Sequence, residues 1–205
     1  MERLFRAWGI GESLKLKTQN LKRFSPPCSL FPIPLIILIG LPGSGKSSFA
    51  QCLQARPGWR LISTDAIRSH LFGDEAIQGS WLKVWSEVGR EFREAARSIQ
   101  QGEAREAVYD ATNVVRKSRR EAIALARESG FTHLTGIWLN EPLEVCLQRN
   151  QQRDRQVPEA VIERMNRRLW GAPPSIQEGF DCWIEMRSGF RYVDREFGCP
   201  RTTPD

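Results

Sequence analysis

The chain has 205 residues, of which 40% are hydrophobic and 26% charged, and its net charge is +6. This length and composition fit one α/β domain with a tail and exclude wholesale disorder. Residues 1–34 hold +4 of the charge and leave only +2 for the rest, so total charge is a weak argument for nucleic-acid binding.

From residue 35 onward, short apolar runs alternate with amphipathic segments. The predicted strands cover residues 35–39, 60–63, 107–109, 134–139 and 182–186. The predicted helices cover residues 46–55, roughly 80–101, 117–128, 143–151 and 158–169. This alternation predicts a doubly wound α/β fold, a three-layer sandwich with a parallel sheet of about five strands and helices on both faces. We expect it over residues 35–190, after a basic, flexible arm (1–34) and before a tail (191–205).

Residues 40–47, GLPGSGKS, match G-x-x-x-x-G-K-S between a buried strand and an amphipathic helix. Glycines let the main chain curl around phosphates, so that N–H groups and a helix N-terminus point at negative charge. The lysine reaches the β- and γ-phosphate oxygens, and the serine hydroxyl is offered to Mg²⁺. The motif predicts a site for a nucleoside triphosphate, which we take to be ATP, with Mg²⁺; the motif alone does not separate an ATPase, a GTPase, a kinase or an adaptor. The predicted site residues are Gly40, Pro42, Gly43, Ser44, Gly45, Lys46, Ser47 and Ser48.

Polar residues also follow the second and third predicted strands. Asp110 ends the run Ala107-Val108-Tyr109 and is the best candidate to hold Mg²⁺ with Ser47, through a water molecule. The alternative is a turn or helix-capping aspartate. Thr112 and Asn113 continue the same loop and can hydrogen-bond phosphates or substrate.

Asp65 and Arg68 follow the second predicted strand, at the sheet edge where such folds bind ligands. A carboxylate there can take a proton from an acceptor hydroxyl. An arginine one turn later lies on the same helical face and can hold a substrate phosphate. The alternative is a helix N-cap aspartate with its helical partner.

Residues 149–158, RNQQRDRQVP, join an arginine-rich helix end to a helix that starts at Pro158. In small P-loop kinases this is the place of a helical lid over ATP. Arg149 and Arg153 would there bind ATP and neutralise the transferring phosphoryl group. The alternative is a solvated basic helix end that complements the helix dipole.

The chain from about residue 35 to 186 resembles the group of P-loop kinases that includes the polynucleotide 5′-hydroxyl kinases and the zeta-toxin-like kinases. The resemblance rests on GLPGSGKS, the Asp65–Arg68 pair, the loop from Asp110 to Asn113, and Arg149-Asn150-x-x-Arg153. It implies that Asp65 is the general base, Arg68 a ligand of the substrate phosphate and Arg153 a lid arginine. The chain departs from the group at Thr64, where polynucleotide kinases often carry arginine. Residues 1–205 show no second acidic phosphatase motif and no ligase module, so we expect any end-healing role to need partners.

The sequence therefore predicts an ATP-dependent kinase whose acceptor is a hydroxyl, with a 5′-OH of RNA or DNA the first choice. The alternative is a kinase for a small metabolite, such as a nucleoside, sugar or antibiotic. The nearly neutral charge of the chain outside residues 1–34 favours this alternative. A third possibility is a nucleotide-gated adaptor that binds RNA or protein and hydrolyses ATP slowly, as the Elongator-associated relatives of these kinases do.

The cysteines and the apolar runs indicate the cellular compartment of the protein. Five cysteines, an odd number without a CxxC pair, argue against a disulfide framework or a structural zinc site. The densest apolar run, residues 35–39, is too short to cross a bilayer, and the first residues lack the features of a signal peptide. We expect a cytoplasmic protein with no membrane segment and no disulfide partner.

Two further patterns have structural explanations. Apolar residues recur at helical spacing between residues 81 and 99, which favours a stripe packed into the core over a surface that stacks on nucleobases, at Trp81 or Trp85. Lys117, Arg119 and Arg120 are expected on the solvated face of a helix rather than in a phosphate clamp.

Overall fold

The computed structural model describes residues 32–74 and 79–187, which hold five strands and six α-helices. The strands are β1 (Pro34–Ile39), β2 (Trp59–Ser63), β3 (Glu106–Asp110), β4 (His133–Asn140) and β5 (Cys182–Arg187). The helices are α1 (Lys46–Gln54), α2 (Thr64–Phe72), α3 (Trp81–Gln100), α4 (Arg116–Glu128), α5 (Leu143–Gln151) and α6 (Glu159–Gly171), and a 3₁₀ turn covers Ile176–Glu178. Every predicted strand and helix is present within two residues of its predicted bounds.

The five strands form one parallel sheet in the order β2–β3–β1–β4–β5. The chain moves across the sheet in one direction from β1 to β2 and in the other from β2 onward. Because parallel connections are right-handed, α1 covers one face and the helices after β2 and β3 cover the other. The crevice between the carboxyl ends of β1 and β3 is therefore the switch point where doubly wound sheets bind ligands. The predicted fold class is confirmed.

Strand β1 is central because its residues are apolar on both faces. Leu35, Ile37, Leu38 and Ile39 are fully buried, and Ile36 nearly so. A continuous run of Leu and β-branched Ile is typical of a parallel strand that is covered by helices on both sides. The same strand delivers the chain to residue 40, so the best-buried element of the fold carries the glycine-rich loop.

Helix α2, which is not among the predicted helix ranges although Asp65 and Arg68 were expected on one helical face, begins directly where β2 ends. Ser63 is its N-cap and accepts a hydrogen bond from the Ala66 N–H at 3.4 Å, and Gly73 closes it with φ near 79°. Asp65 is thus not the cap. It lies in the first turn, where a carboxylate is favoured by the helix dipole.

Helix α3 shows the expected apolar stripe, with one exception. Val84, Val88 and Phe92 are fully buried, and the ring of Phe92 packs edge-on against Tyr109 at 5.1 Å between centroids. Trp81, which was expected in the same stripe, is 47% exposed. That expectation was wrong for Trp81, because the first turn of α3 extends past the packed core.

The prediction that Arg119 lies on a solvated face was also wrong. Arg119 is fully buried in α4, and its Nε and Nη2 atoms donate to the two carboxylate oxygens of Glu178, both at 2.6 Å. It also donates to the carbonyl oxygens of Asn113, Val114 and Ala172. Lys117 and Arg120 are exposed, as expected. Glu178 lies 59 residues from Arg119, so helical spacing around α4 gave no sign of the pair.

The predictions of a flexible arm and a tail fall on residues outside the described part, apart from residues 32–34. Ile33 leads into the sheet, its N–H donating to Thr132 Oγ1 at 2.8 Å, and Pro34 is the first residue of β1. Within residues 32–74 and 79–187, no helix is long and apolar enough to cross a membrane.

Removal of one charge from the Arg119–Glu178 pair should destabilise the fold strongly. Glu178→Gln leaves a buried guanidinium without its counter-charge, and such a loss typically costs about 3–5 kcal/mol. Urea unfolding followed by circular dichroism measures the change. Glu121→Gln, which breaks the exposed Lys117–Glu121 pair at 3.8 Å, is the control and should cost less than about 1 kcal/mol. Equal losses in the two variants would contradict this assignment.

Candidate active site

The glycine-rich loop closes tightly between β1 and α1. Gly45 is the N-cap of α1 with φ near 90°, and Gly43 has φ near 82°. A Cβ atom on Gly43 would overlap the main-chain carbonyl of Cys146 in α5. Both the backbone conformation and this close approach require glycine at Gly43. The helix N-terminus behind the loop favours negative charge in front of it.

Lys46 is buried at the base of this loop. Its Nζ donates to the Leu41 carbonyl oxygen at 2.7 Å and to Ser44 Oγ at 3.4 Å. Desolvation lowers the pKa of Lys46 to about 8, and the nearby Asp110 carboxylate opposes that shift. The ammonium group is therefore held by one carbonyl and one hydroxyl where phosphate oxygens would give it stronger, charge-assisted hydrogen bonds.

Ser47 and Asp110 are joined by a side-chain hydrogen bond close to Lys46. Burial raises the pKa of Asp110, while the Lys46 charge and a hydrogen bond with Ser47 oppose that shift. A hydroxyl and a carboxylate are hard oxygen donors of the kind that Mg²⁺ prefers beside phosphates and water. The pair fits the predicted Mg²⁺ site. No cluster of three or more His, Cys, Asp or Glu side chains able to hold a metal occurs among the described residues.

The loop after β3 is tied directly to β1. The Gly40 N–H donates to the Thr112 carbonyl oxygen at 3.0 Å, and the Asn113 side-chain amide donates to the Leu38 carbonyl oxygen at 2.8 Å. Asn113 holds a positive φ of 50° and is buried. Its amide nitrogen is thus used to hold the loop. Any contact with substrate is left to its other polar atoms and to Thr112.

Asp65 and Arg68 form an ion pair at the next strand end. Arg68 Nη1 donates to Asp65 Oδ1 at 2.7 Å, and the Asp65 side chain stays 45% exposed. Ser63 and Asp110 are paired in the sheet register, which brings the ends of β2 and β3 together. Thr64 Oγ1 donates to the Asp110 carbonyl oxygen at 3.4 Å and strengthens that link.

The connection between α5 and α6 is closed by a side-chain clasp. Asn150, which is almost fully buried, donates to the Val157 carbonyl oxygen at 2.8 Å and accepts from the Val157 N–H at 3.0 Å. This clasp fixes the short segment that carries Arg153 and Arg155. Arg155 Nη1 lies 3.9 Å from Asp65 Oδ2, so the segment reaches across to α2.

The glycine-rich loop, the start of α2, the loop after β3 and the connection between α5 and α6 all contribute residues to one cleft of about 710 Å³, a size within the usual range for small-molecule sites. The predicted site residues that line it are Pro42, Gly43, Gly45, Lys46, Ser47, Ser48, Asp65, Arg68, Asp110, Thr112, Asn113, Arg149 and Arg153. Gly40 and Ser44 do not line it: the Gly40 N–H is hydrogen-bonded to the loop after β3, and Ser44 is a buried residue of the glycine-rich loop.

Three features in or beside the cleft were not predicted from the sequence or were predicted to have other roles. Arg155 lines the cleft, and no function was predicted for it. Asn150 was part of a motif, but its clasp with Val157 depends on a loop geometry that spacing does not reveal. Trp81 and Trp85 also line the cleft, where the sequence favoured a purely structural role.

Residues 35–172 match the family model AAA_33, an AAA domain. The chain belongs to this family. It is 32% identical over 135 residues to the L-seryl-tRNA(Sec) kinase of Methanococcus maripaludis, a match that covers 64% of this chain and 50% of that kinase. It is 33% identical over 115 residues to the shikimate kinase of Nitratidesulfovibrio vulgaris, covering 56% and 61% of the two chains. The chain therefore matches about half to three-fifths of these relatives' lengths.

Solved structures share the same fold. The Pnkp1/Rnl/Hen1 RNA repair complex contains a chain similar to this one with a TM-score of 0.56 and 21% identity, covering 70% of this chain and 46% of that one. A gluconokinase from Sinorhizobium meliloti is similar with a TM-score of 0.52 and 19% identity, covering 81% and 88%. These likenesses establish the P-loop kinase fold.

The lowered pKa of Lys46 predicts a pH dependence of ATP binding. Phosphates favour the ammonium form, so affinity is full below the free-protein pKa of about 8 and is lost as the pH rises through it. Between about pH 7 and 9 the Kd of an ATP analogue with Mg²⁺ should rise about tenfold by calorimetry.

Lys46→Arg is the matched control for this measurement. A guanidinium stays charged over the whole range, so whatever affinity this variant retains should not change with pH. A flat profile in the unsubstituted protein, or the same slope in both proteins, would show that Lys46 is not the titrating group.

Proposed function

We propose that the protein transfers the γ-phosphoryl group of ATP to an acceptor hydroxyl, and that a nucleic-acid 5′-OH is the first acceptor to test. The observation that carries this proposal is the position of Asp65. Its half-exposed carboxylate lines the same cleft as the glycine-rich loop and Lys46. A nucleotide-binding cleft that also holds an accessible base suits transfer to a second substrate.

The two carboxylate oxygens of Asp65 have different surroundings, which suit them to different roles. Oδ1 is engaged by Arg68 at 2.7 Å, whereas Arg155 at 3.9 Å from Oδ2 is beyond hydrogen-bonding distance. Oδ2 therefore keeps a lone pair for the acceptor hydroxyl, while Arg68 fixes the orientation of the carboxylate.

The reaction would then proceed by in-line displacement. The acceptor oxygen forms a bond to the γ-phosphorus while the bond from that phosphorus to the β–γ bridging oxygen breaks, and ADP leaves. The acceptor proton passes to Asp65. Lys46 and Arg153 hold and neutralise the phosphoryl oxygens. Mg²⁺, held by Ser47 and Asp110, would supply further charge neutralisation on the β- and γ-phosphates.

Loss of the base should slow transfer while ATP binding is retained. Asp65→Asn keeps the shape of the side chain but accepts a proton poorly, so we expect kcat to fall about 10²- to 10⁴-fold. Calorimetry with an ATP analogue should give an unchanged Kd. The matched control is Asp154→Asn, the same change on an exposed carboxylate that does not line the cleft.

If the Asp65→Asn variant transfers phosphate with the kcat of the unsubstituted protein, Asp65 is not the general base. Lys46→Ala provides the opposite reference, because it should abolish ATP turnover. If Lys46→Ala keeps its turnover, the glycine-rich loop is not the phosphate site.

The acceptor is identified by offering γ-labelled ATP to 5′-OH RNA, 5′-OH DNA and a metabolite pool. We expect label on the 5′ end of a polynucleotide. The names of two similar proteins, an L-seryl-tRNA(Sec) kinase and an RNA repair complex, support an RNA acceptor. Label on metabolites alone would exclude the polynucleotide acceptor and leave the transfer mechanism intact.

A small-molecule kinase is the second candidate function. The charge of only +2 outside residues 1–34 favours it, since a groove for a nucleic-acid strand usually carries more Lys and Arg. Similar proteins include a shikimate kinase and a gluconokinase. Salt separates the two functions: polynucleotide binding should weaken steeply between about 50 and 200 mM salt, and metabolite binding should not.

A further inference from the structure

Trp81 is an exposed aromatic residue that the fold does not require. The buried stripe of α3 is complete with Val84, Val88 and Phe92, each with no exposed surface, whereas Trp81 is 47% exposed. A single exposed aromatic side chain is common on proteins and needs no explanation. The position of Trp81 does need one, because it lines the same cleft as Lys46.

The Trp81 ring is already ordered for stacking. It lies nearly parallel to the ring of Trp85, with centroids 5.6 Å apart and an interplanar angle of 24°. Trp85 is partly buried and packs against the core, so it supports Trp81 from behind. Trp85 stacks on one face of the Trp81 indole, and both tryptophans line the cleft. We call this pair the tryptophan platform.

Polar groups of the cleft indicate what the platform receives. Asp65 presents a carboxylate to a hydroxyl, and Arg68 and Arg155 flank it with positive charge. Arg68 Nε is buried and has no hydrogen-bond partner among the described residues. A buried N–H donor without a partner is costly, and because Arg68 lines the cleft, a phosphate bound there that drew the guanidinium towards it would give this donor a partner. A ligand that combines a planar ring, a hydroxyl and a neighbouring phosphate is a nucleotide.

We propose that the tryptophan platform stacks on the nucleobase of the acceptor, so that the acceptor is a nucleoside unit with a free 5′-OH. This inference rests on the proposed function, since it names the substrate class of the same site. It is tested by binding alone, so it can fail or succeed independently of phosphoryl transfer.

The test measures the Kd of a 5′-OH RNA hexamer, labelled at its 3′ end, by fluorescence anisotropy with an ATP analogue and Mg²⁺ present. Trp81→Leu keeps an apolar side chain but removes the aromatic face, and Trp81→Phe restores a ring. We expect Trp81→Leu to weaken binding about 5- to 150-fold, the range for loss of one stacked base. Trp81→Phe should stay within about threefold of the unsubstituted protein.

Two controls separate stacking from other effects. Trp170→Leu makes the same change at a tryptophan that is 55% exposed but does not line the cleft, and it should leave the Kd unchanged. The Kd of the ATP analogue should be the same in all variants. Competition by free nucleosides against the hexamer then shows whether the platform binds a nucleoside by itself or only the base at the end of a polynucleotide. Both results support stacking.

Several results would overturn the proposal. Equal losses with Trp81→Leu and Trp81→Phe would mean that the indole is needed for shape rather than for stacking. An ATP-analogue Kd that rises as much as the hexamer Kd would place the adenine of ATP on the platform. Binding of neither hexamer nor nucleosides by the unsubstituted protein would exclude a nucleobase acceptor, even if a sugar or another metabolite is phosphorylated.

Discussion

The parallel pairing of β3 with both β1 and β2 is the constraint on which the cleft depends. It aligns Ser63 with Asp110, so the ends of β2 and β3 open at the same edge of the sheet as the end of β1. The hydrogen bonds from Gly40 to Thr112 and from Asn113 to Leu38 then join the glycine-rich loop to the loop after β3. The groups that we propose to bind phosphate, to hold Mg²⁺ and to accept a proton are far apart in the chain, and this pairing places them along one cleft.

The electrostatics of this edge are arranged before any ligand binds. Lys46 is desolvated, and the shorter of its two hydrogen bonds runs to the Leu41 carbonyl oxygen. Asp110 is also desolvated, and its attraction to Lys46 partly offsets the cost for both groups. A phosphate that displaces the Leu41 carbonyl from Lys46 gains a charge-assisted bond without moving the ammonium group far. Such preorganisation is the main means by which enzymes stabilise phosphoryl transfer.

Contiguous motifs and strand patterns were predictable from the sequence because they depend on local geometry. The glycine-rich loop, Asp110 after a buried strand and the Asp65–Arg68 pair each need only neighbouring residues in the chain. The exceptions are tertiary. Arg119 is buried because Glu178, 59 residues later, meets it in the core, and no periodicity of α4 encodes that contact. The sequence likewise contained no signal that brings Arg155 to Asp65 or leaves Trp81 in the cleft.

The central claim is that the cleft passes a phosphoryl group to a hydroxyl rather than to water. The most direct measurement is the ratio of phosphorylated acceptor to ADP, followed over many turnovers with 5′-OH RNA or the acceptor found by labelling. We expect one phosphoester to form per ADP, with little inorganic phosphate. Stoichiometric release of inorganic phosphate without phosphorylation of any acceptor would contradict it and would indicate a nucleotide-gated ATPase instead.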